Sequence, residues 1–251
     1  MSPELSIILP GYNERESLAA AVEAHRRACE SGGIGDFEMI VVDDASTDGM
    51  DQVARRLAAD DRRIRVLTHS ANRGQVEAIL TGFRAARGAV VTHNGIDLPF
   101  DPNDLIHVMP RFDNGADVVV VERRDRRAYG WGRTLLSWAN VAVLRLLFRS
   151  PVRDHNFVQF YRREVFASLA VRSRGVSTVT AELIVRAFAA GYRIDRVKAD
   201  YHARRAGRGT VGAGKAFAAL RETLRLRALL TAEKVGLSRS AKWAMLAAPE
   251  P

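Results

Sequence analysis

The sequence predicts an α/β fold in which a mostly parallel central sheet is flanked by helices, and three observations predict it. Short apolar runs of strand length alternate with helical stretches of ~10–15 residues, the signature of a parallel α/β sheet. Polar or acidic residues close the first four runs: Asn13 and Glu14, Asp43 and Asp44, Asn72, and Asp97. Ligands of an open parallel sheet sit beyond the carboxyl ends of its strands, so polar groups gathered at that edge have the layout of a nucleotide crevice. Finally, 251 residues, 47% apolar and 27% charged, can bury one large core or two modest ones.

Taken in order, Leu5–Leu9 is the first strand, broken by Pro10-Gly11-Tyr12-Asn13-Glu14. Ser17 is a candidate cap for the next helix, with Leu18, Val22 and Cys29 on its inner side and Ser31-Gly32-Gly33 at its end. Phe37–Val42 is the second strand and terminates in Asp43-Asp44; Ala45–Gly49 then turns into a helix that runs to Asp60. Ile64–Leu67 is the third strand, and Asn72-Arg73-Gly74 opens a helix ending at Gly88. The fourth strand, Ala89–Thr92, runs out into HNGIDLPFDPND. Read alone, this stretch is equally consistent with a turn in which Asn94, Gly95 and Asp97 serve turn chemistry.

The second half is less regular. Asp117–Val121 is a fifth strand, and the charged run Glu122–Arg127 reads as an exposed loop. Arg133–Phe148 is a helix apolar nearly all the way round, which implies burial or contact with lipid or a partner. Asn156–Tyr161 reads as a strand, Arg163–Leu169 as a short helix, Thr180–Ala190 as a helix and Tyr192–Val197 as a strand. His202–Gly214 is a glycine- and arginine-rich loop. Lys215–Ala232 is amphipathic, with Phe217, Leu220, Leu224 and Leu229 set against Arg221, Arg225 and Arg227. No linker divides the chain, so one domain over residues 1–212 with a helical extension over 213–251 is expected.

The lone cysteine, Cys29, excludes an internal disulfide and a cysteine-based zinc site; its simplest reading is a small buried apolar residue. Met1–Glu4 leads into a strand without a basic segment, so no signal peptide is expected, and no apolar run reaches the ~18 residues of a membrane span. The net charge of +9 is mostly arginine and suggests an anionic partner, although arginine-rich composition alone is a weak signal. Nucleic acid is disfavoured because carboxylates at the strand ends would repel a phosphate backbone. Neither G-x-G-x-x-G nor G-x-x-x-x-G-K-[ST] occurs at the right place, so phosphates must be held another way, by a metal ion and arginines.

The motifs SIILPGYNERESL, VVDDASTDGM, NRGQVEAILTGFRAARG and IDL-x-x-DP occur in that order. The series resembles the inverting family 2 glycosyltransferases of GT-A (Rossmann-like) fold, and among them the polyprenyl-phosphate (dolichol-phosphate) sugar synthases. Arg133-Thr134-Leu135-Leu136-Ser137, Val152-Arg153-Asp154 with Phe160-Tyr161-Arg162-Arg163, and Gly191-Tyr192-Arg193-Ile194 with Arg204-Arg205 extend the likeness from Leu5 to about Thr210. The resemblance implies a GDP-mannose or UDP-sugar donor and a phosphate-bearing acceptor, a polyprenyl phosphate. It places Pro10, Tyr12, Asn13, Glu14, Asp43, Asp44, Asn72, Gly74, Gln75, Asn94 and Gly95 around the nucleotide sugar. Asp97 is implied as ligand of Mg²⁺ or Mn²⁺, with Arg123, Arg133, Ser137, Arg204 and Arg205 around the acceptor. An acceptor phosphate is already anionic and needs cations to place it rather than a strong base. A cytoplasmic protein with peripheral contact at an anionic inner membrane face is the implied location.

The sequence also departs from the family pattern. Where the family carries Asp-x-Asp followed two residues on by Gln, this chain has Gly95-Ile96-Asp97-Leu98-Pro99. Asn94 and His93 lie close by, but neither supplies a second carboxylate. Gln75 stands where a lysine is frequent, and Arg208-Gly209-Thr210 replaces Gly-x-Ser-Lys. Three readings stay open: a transferase with a loosely held metal, one in which arginines replace the metal, and a silent nucleotide-sugar-binding protein. A soluble specialised-metabolite acceptor is the alternative to a lipid.

Overall fold

The computed structural model describes residues 3–124, 147–148, 152, 154–155, 157–173, 175–200 and 213–233. Strand β1 (Leu5–Gly11) is buried along its whole length, as is β2 (Phe37–Asp43). A parallel strand covered on both faces needs a continuous apolar run, and LSIIL and MIVV supply it. The other elements are α1 (Arg15–Ser31), α2 (Met50–Asp60), β3 (Ile64–Thr68), α3 (Gln75–Ala85), β4 (Val90–His93), a 3₁₀ turn (Pro102–Asp104) leading into α4 (Leu105–Asp113), β5 (Val118–Arg123), β6 (Gln159–Arg162), α5 (Arg163–Ser168), α6 (Val176–Ala189), β7 (Ile194–Ala199) and α7 (Ala213–Ala232).

The strands form one sheet in the order β3-β2-β1-β4-β6-β5-β7. All pairs are parallel except those of β6, which runs antiparallel to both β4 and β5. The chain moves outward from β1 through β2 to β3, then crosses back to place β4 on the other side of β1. That reversal makes the β1/β4 boundary a switch point, where open sheets leave a crevice. Alternate residues of β1 feed separate cores: Leu5, Ile7 and Leu9 pack with α1, α2 and α4, and Ile8 packs with α3 and α6. Each fully buried Leu or Ile contributes roughly 1.5–3 kcal/mol. Helix α3 comes so close to β1 that a Cβ on Gly82 would lie 2.4 Å from Ile8 Cγ2.

Strand β1 runs on through Pro10 and Gly11, in register with Val42 and Asp43, instead of stopping at Leu9. Backbone groups of successive residues in a strand face opposite neighbours. The Ile8 carbonyl accepts from Asn94 N–H on the β4 side, and the Gly11 carbonyl accepts from Asp44 N–H on the β2 side. Pro10 therefore turns its missing N–H toward β4, whose pairing with β1 ends at Ile8 and His93, and no ladder bond is lost.

Other boundaries shift for similar non-local reasons. Helix α1 starts at Arg15, not at a Ser17 cap, because Arg15 N–H donates to Asp48 Oδ2 at 2.9 Å from the β2–α2 loop. Strand β5 continues through Glu122 and Arg123, expected in an exposed loop, because β7 pairs with it as far as Ala199. Helix α6 begins before Thr180, at Val176, and the segment expected as a strand from Asn156 pairs only from Gln159. On α7, Thr223, Leu226 and Leu230 are buried while Leu224, expected inside, is 51% exposed. Leu226 and Leu230 pack on Ala181 and Val185 of α6 with Phe148, which fixes the rotation of the helix. The expected helix over Arg133–Phe148 lies outside the described residues except for Leu147 and Phe148, which are helical, and the expected loop over His202–Gly214 lies outside them up to residue 212.

Candidate functional site

The parallel strands deliver the segments after β1, β2, β3 and β4 to the same edge. After β1, Asn13 adopts a left-handed φ of 57° and locks onto the β2–α2 loop. Its Oδ1 accepts from Thr47 N–H at 2.8 Å, and its own N–H donates to Ser46 Oγ at 2.9 Å. Asp43, 1% exposed, accepts from Ser46 N–H at 3.2 Å, and Asp48 accepts from Met50 N–H at 3.0 Å. The two loops thus form one hydrogen-bonded platform. Tyr12 stands on it 47% exposed, while Pro10 is buried in the strand and Glu14 is half-buried.

Asp44 organises the loop after β3. It is 3% exposed; Oδ1 accepts from His69 Nδ1 at 2.7 Å and Arg73 N–H at 2.8 Å, and Oδ2 accepts from Gly74 N–H at 2.7 Å. His69 Nε2 faces the Thr81 hydroxyl at 3.0 Å, tying the loop to α3. Burial works against the Asp44 carboxylate, but the donors from Arg73, His69 and Gly74 outweigh it and hold the carboxyl below its ordinary value. Gly74, at φ 89° and ψ 159°, occupies a backbone region essentially closed to other residues. Asp44 thus braces the β3–α3 loop through three donors from inside the protein, at the edge where the base or ribose was expected. Asn72 and Gln75 flank the braced turn and are exposed. His69 was missed by sequence reasoning; a histidine after a strand carries no motif, and its partner lies 25 residues away.

Beyond β4, His93 turns its ring to the α3/α6 side, edge-on to Phe83 at 6.0 Å, and burial lowers its pKa to about 4. Asn94 is 1% exposed. Its Nδ2 donates to the Phe100 carbonyl at 2.9 Å and to His25 Nε2 at 3.1 Å. His25 Nδ1 lies 2.8 Å from the Ala21 carbonyl, which can only accept, so Nδ1 carries the proton and Nε2 accepts. Burial lowers the pKa of His25 to about 4 and keeps the ring neutral. Asn94 thus closes the 94–100 loop and pins it to α1, with its Oδ1 accepting from Phe100 N–H at 3.4 Å. Asp97 is half-buried on that loop, and a Cβ on Gly95 would lie 2.3 Å from its Oδ1.

On the other flank, Arg123 Nε and Nη2 donate to Asp154 Oδ2 and Oδ1 at 2.6 and 2.9 Å. The two side chains are 15% and 2% exposed, and the guanidinium lies over Phe157 at 5.4 Å. The guanidinium expected at the acceptor phosphate thus holds a buried carboxylate through its fork in this structure. Arg133, Ser137, Arg204 and Arg205 lie outside the described residues. Among the described residues, no group of three or more His, Cys, Asp or Glu side chains is arranged to hold a metal ion. Between β4 and Phe100, Asp97 is the one carboxylate offered to a Mg²⁺ or Mn²⁺ ion, the lower limit of the usual set of one or two carboxylates with phosphate and water. No helix among the described residues is long and apolar enough to cross a membrane.

Comparison with known proteins gives this edge a context. Residues 6–170 match the family described as Glycosyl transferase family 2. The undecaprenyl-phosphate 4-deoxy-4-formamido-L-arabinose transferase of Pseudomonas paraeruginosa is 33% identical over 175 residues, 68% of this chain and 50% of that protein. The chain thus spans about half the length of the first curated relatives it matches. An uncharacterized glycosyltransferase of Mycobacterium tuberculosis is 32% identical over 213 residues, 82% of this chain and 89% of that protein. Among solved structures, glucosyl-3-phosphoglycerate synthase from Mycobacterium tuberculosis, in complex with Mn²⁺, uridine diphosphate and phosphoglyceric acid, superposes with a TM-score of 0.68. The identity is 19%, covering 90% of this chain and 78% of that one.

Proposed function

The chain belongs to glycosyl transferase family 2 and has the GT-A fold, and on that premise we propose that its β1/β4 crevice takes a nucleotide diphosphate sugar as glycosyl donor. The observation that carries this is the exposed Tyr12 on its hydrogen-bonded platform, at the mouth of the switch-point crevice. An exposed aromatic next to a hydrogen-bonded loop is suited to stack a nucleobase. The diphosphate then extends toward the β4 end and Asp97. GDP-mannose and UDP-sugars are the proposed donors.

The acceptor is proposed to be a polyprenyl phosphate, the class for which the Pseudomonas relative is named. Its phosphate oxygen attacks the anomeric carbon from the face opposite the diphosphate. The C–O bond to the diphosphate breaks with the electron pair leaving on that oxygen, and the configuration inverts. No proton need be removed from an ionised phosphate, so the protein's task is placement and charge stabilisation. Arg133, Ser137, Arg204 and Arg205 are the proposed acceptor-side residues. Arg221, Leu224 and Arg225 are exposed on the outer face of α7 and form the proposed peripheral contact with an anionic, cytoplasmic membrane surface.

Transfer assays with GDP-, UDP- and dTDP-sugars against a polyprenyl phosphate test the reaction. Formation of a lipid-linked sugar phosphate supports it. Transfer only to a soluble phosphorylated acceptor would move the proposal to that class. The glycine at position 95 favours one second reading, a nucleotide-sugar-binding protein without turnover, which binding without transfer to any acceptor would select.

A further inference from the structure

We infer that, at the β4 end of the crevice, the nucleoside diphosphate is bound without a divalent ion chelated by the described residues. The inference rests on the donor-crevice reading above and concerns how that crevice manages the diphosphate's charge. Hard divalent ions are bound by oxygens, usually one or two carboxylates together with phosphate and water, so a loop with a single carboxylate gives such an ion the weakest protein hold of that range. Followed residue by residue, the segment after β4 offers little to such an ion. The His93 ring is on the α3/α6 side of the sheet, and the Asn94 amide is spent on Phe100 and His25. Gly95 has no side chain, Ile96 is 4% exposed in the core, and Pro99 has no polar side-chain atom. Asp97 is left as the carboxylate between β4 and Phe100; further on, Asp101 accepts from Asn103 N–H and caps the 3₁₀ turn that ends at Asp104.

The space in the loop agrees with the residue count. The Asp97 carboxylate lies back over Gly95, so close that a Cβ there would be 2.3 Å from Oδ1 and 3.1 Å from Pro99 Cδ. The loop is shaped around one carboxylate where a side chain at position 95 would have to sit. Nor can the neighbouring acids swing across. Both Asp44 oxygens accept N–H groups of the β3–α3 loop, and Asp43 and Asp48 hold the β2–α2 loop. The fold neighbour crystallised with Mn²⁺ and uridine diphosphate shares 19% identity, so its metal does not carry over with the fold. The charge of the diphosphate is then met by the chain's own cations, 38 Lys and Arg against 29 Asp and Glu.

The test is calorimetric titration of UDP and of GDP into the whole chain, once with Mn²⁺ and once with EDTA, beside a titration of Mn²⁺ alone followed by electron paramagnetic resonance. The expected result is affinities within about threefold of each other in the two buffers and no saturable Mn²⁺ site. Nucleotide binding weakened about tenfold or more by EDTA, or saturable Mn²⁺ uptake, overturns the inference. Failure of either nucleotide to bind in either buffer is a different result: it removes the donor-crevice reading and this inference with it. Gly95→Asp displaces the Asp97 carboxylate from the space over position 95 and adds a second carboxylate beside it, and its nucleotide affinity is expected to become at least about tenfold better in Mn²⁺ than in EDTA. A folded Gly95→Asp variant as indifferent to Mn²⁺ as the parent overturns the assignment of metal independence to position 95.

Discussion

At the scale of single residues, the site depends on groups whose partners decide what they can do. His25 is 2% exposed and neutral, with a pKa lowered to about 4 by burial, and it passes a hydrogen bond through Asn94 to the loop bearing Asp97. The folded value lies below the ordinary 6.5, so folding favours the neutral ring. Stability is therefore complete above pH 6.5 and is lost as pH falls from 6.5 toward 4, by on the order of 3 kcal/mol for His25. Urea unfolding at a series of pH values checks this; a flat stability over that window contradicts a buried neutral His25. Asp44 has its carboxyl held below the ordinary range, so its contribution is lost only at more acid pH. Asp44→Ala leaves the N–H groups of Arg73 and Gly74 and the His69 ring without their acceptor. It is expected to cost roughly 1–3 kcal/mol per buried group left unsatisfied, and to raise hydrogen exchange in the β3–α3 loop. None of these pairings was legible in the sequence. Asp44 and Asp97 stand out as strand-end acids, but the bonds that bury one of them come from residues 25 to 30 positions away.

At the scale of elements, the strands were readable and their limits less so. LSIIL, MIVV and VVVV are apolar runs that only a doubly covered strand explains, and α1, α2 and α3 end near Gly32, Asp60 and Gly88 as their turn residues suggest. The extension of β1 through Pro10 was not readable, because it depends on which neighbour Pro10 faces. The start of α1 depends on a carboxylate 33 residues away. The antiparallel insertion of β6 between β4 and β5 has no local signature either, since QFYR reads as a strand in any direction. The tight α3–β1 contact gives a prediction of its own. Gly82→Ala places a methyl group 2.4 Å from Ile8 Cγ2 and is expected to destabilise by about 1–3 kcal/mol. A chain of this size should then melt roughly 2–4 °C lower for each kcal/mol, and a melting point equal to that of the parent contradicts the close packing.

At the scale of the whole molecule, the ordered motif series identified the family, and topology explains why the motifs converge. The strand order β3-β2-β1-β4 brings the segments after β1, β2 and β4 to one crevice although they lie some 80 residues apart in sequence. The outer face of α7 supplies a second molecular-scale prediction. Arg221→Glu with Arg225→Glu should reduce co-sedimentation with vesicles of anionic lipid, and more so at low salt, without shifting the melting point by more than about 2 °C. Equal co-sedimentation of parent and variant contradicts membrane contact through this face. The central claim, that the crevice between β1 and β4 receives a nucleotide sugar, is tested most directly by titrating UDP- and GDP-sugars into the parent chain and into Tyr12→Ala. The expected result is one saturable site in the parent, weakened roughly 5- to 100-fold in the variant by loss of base stacking. No binding of any nucleotide sugar to the parent, or equal affinity in the variant, contradicts it.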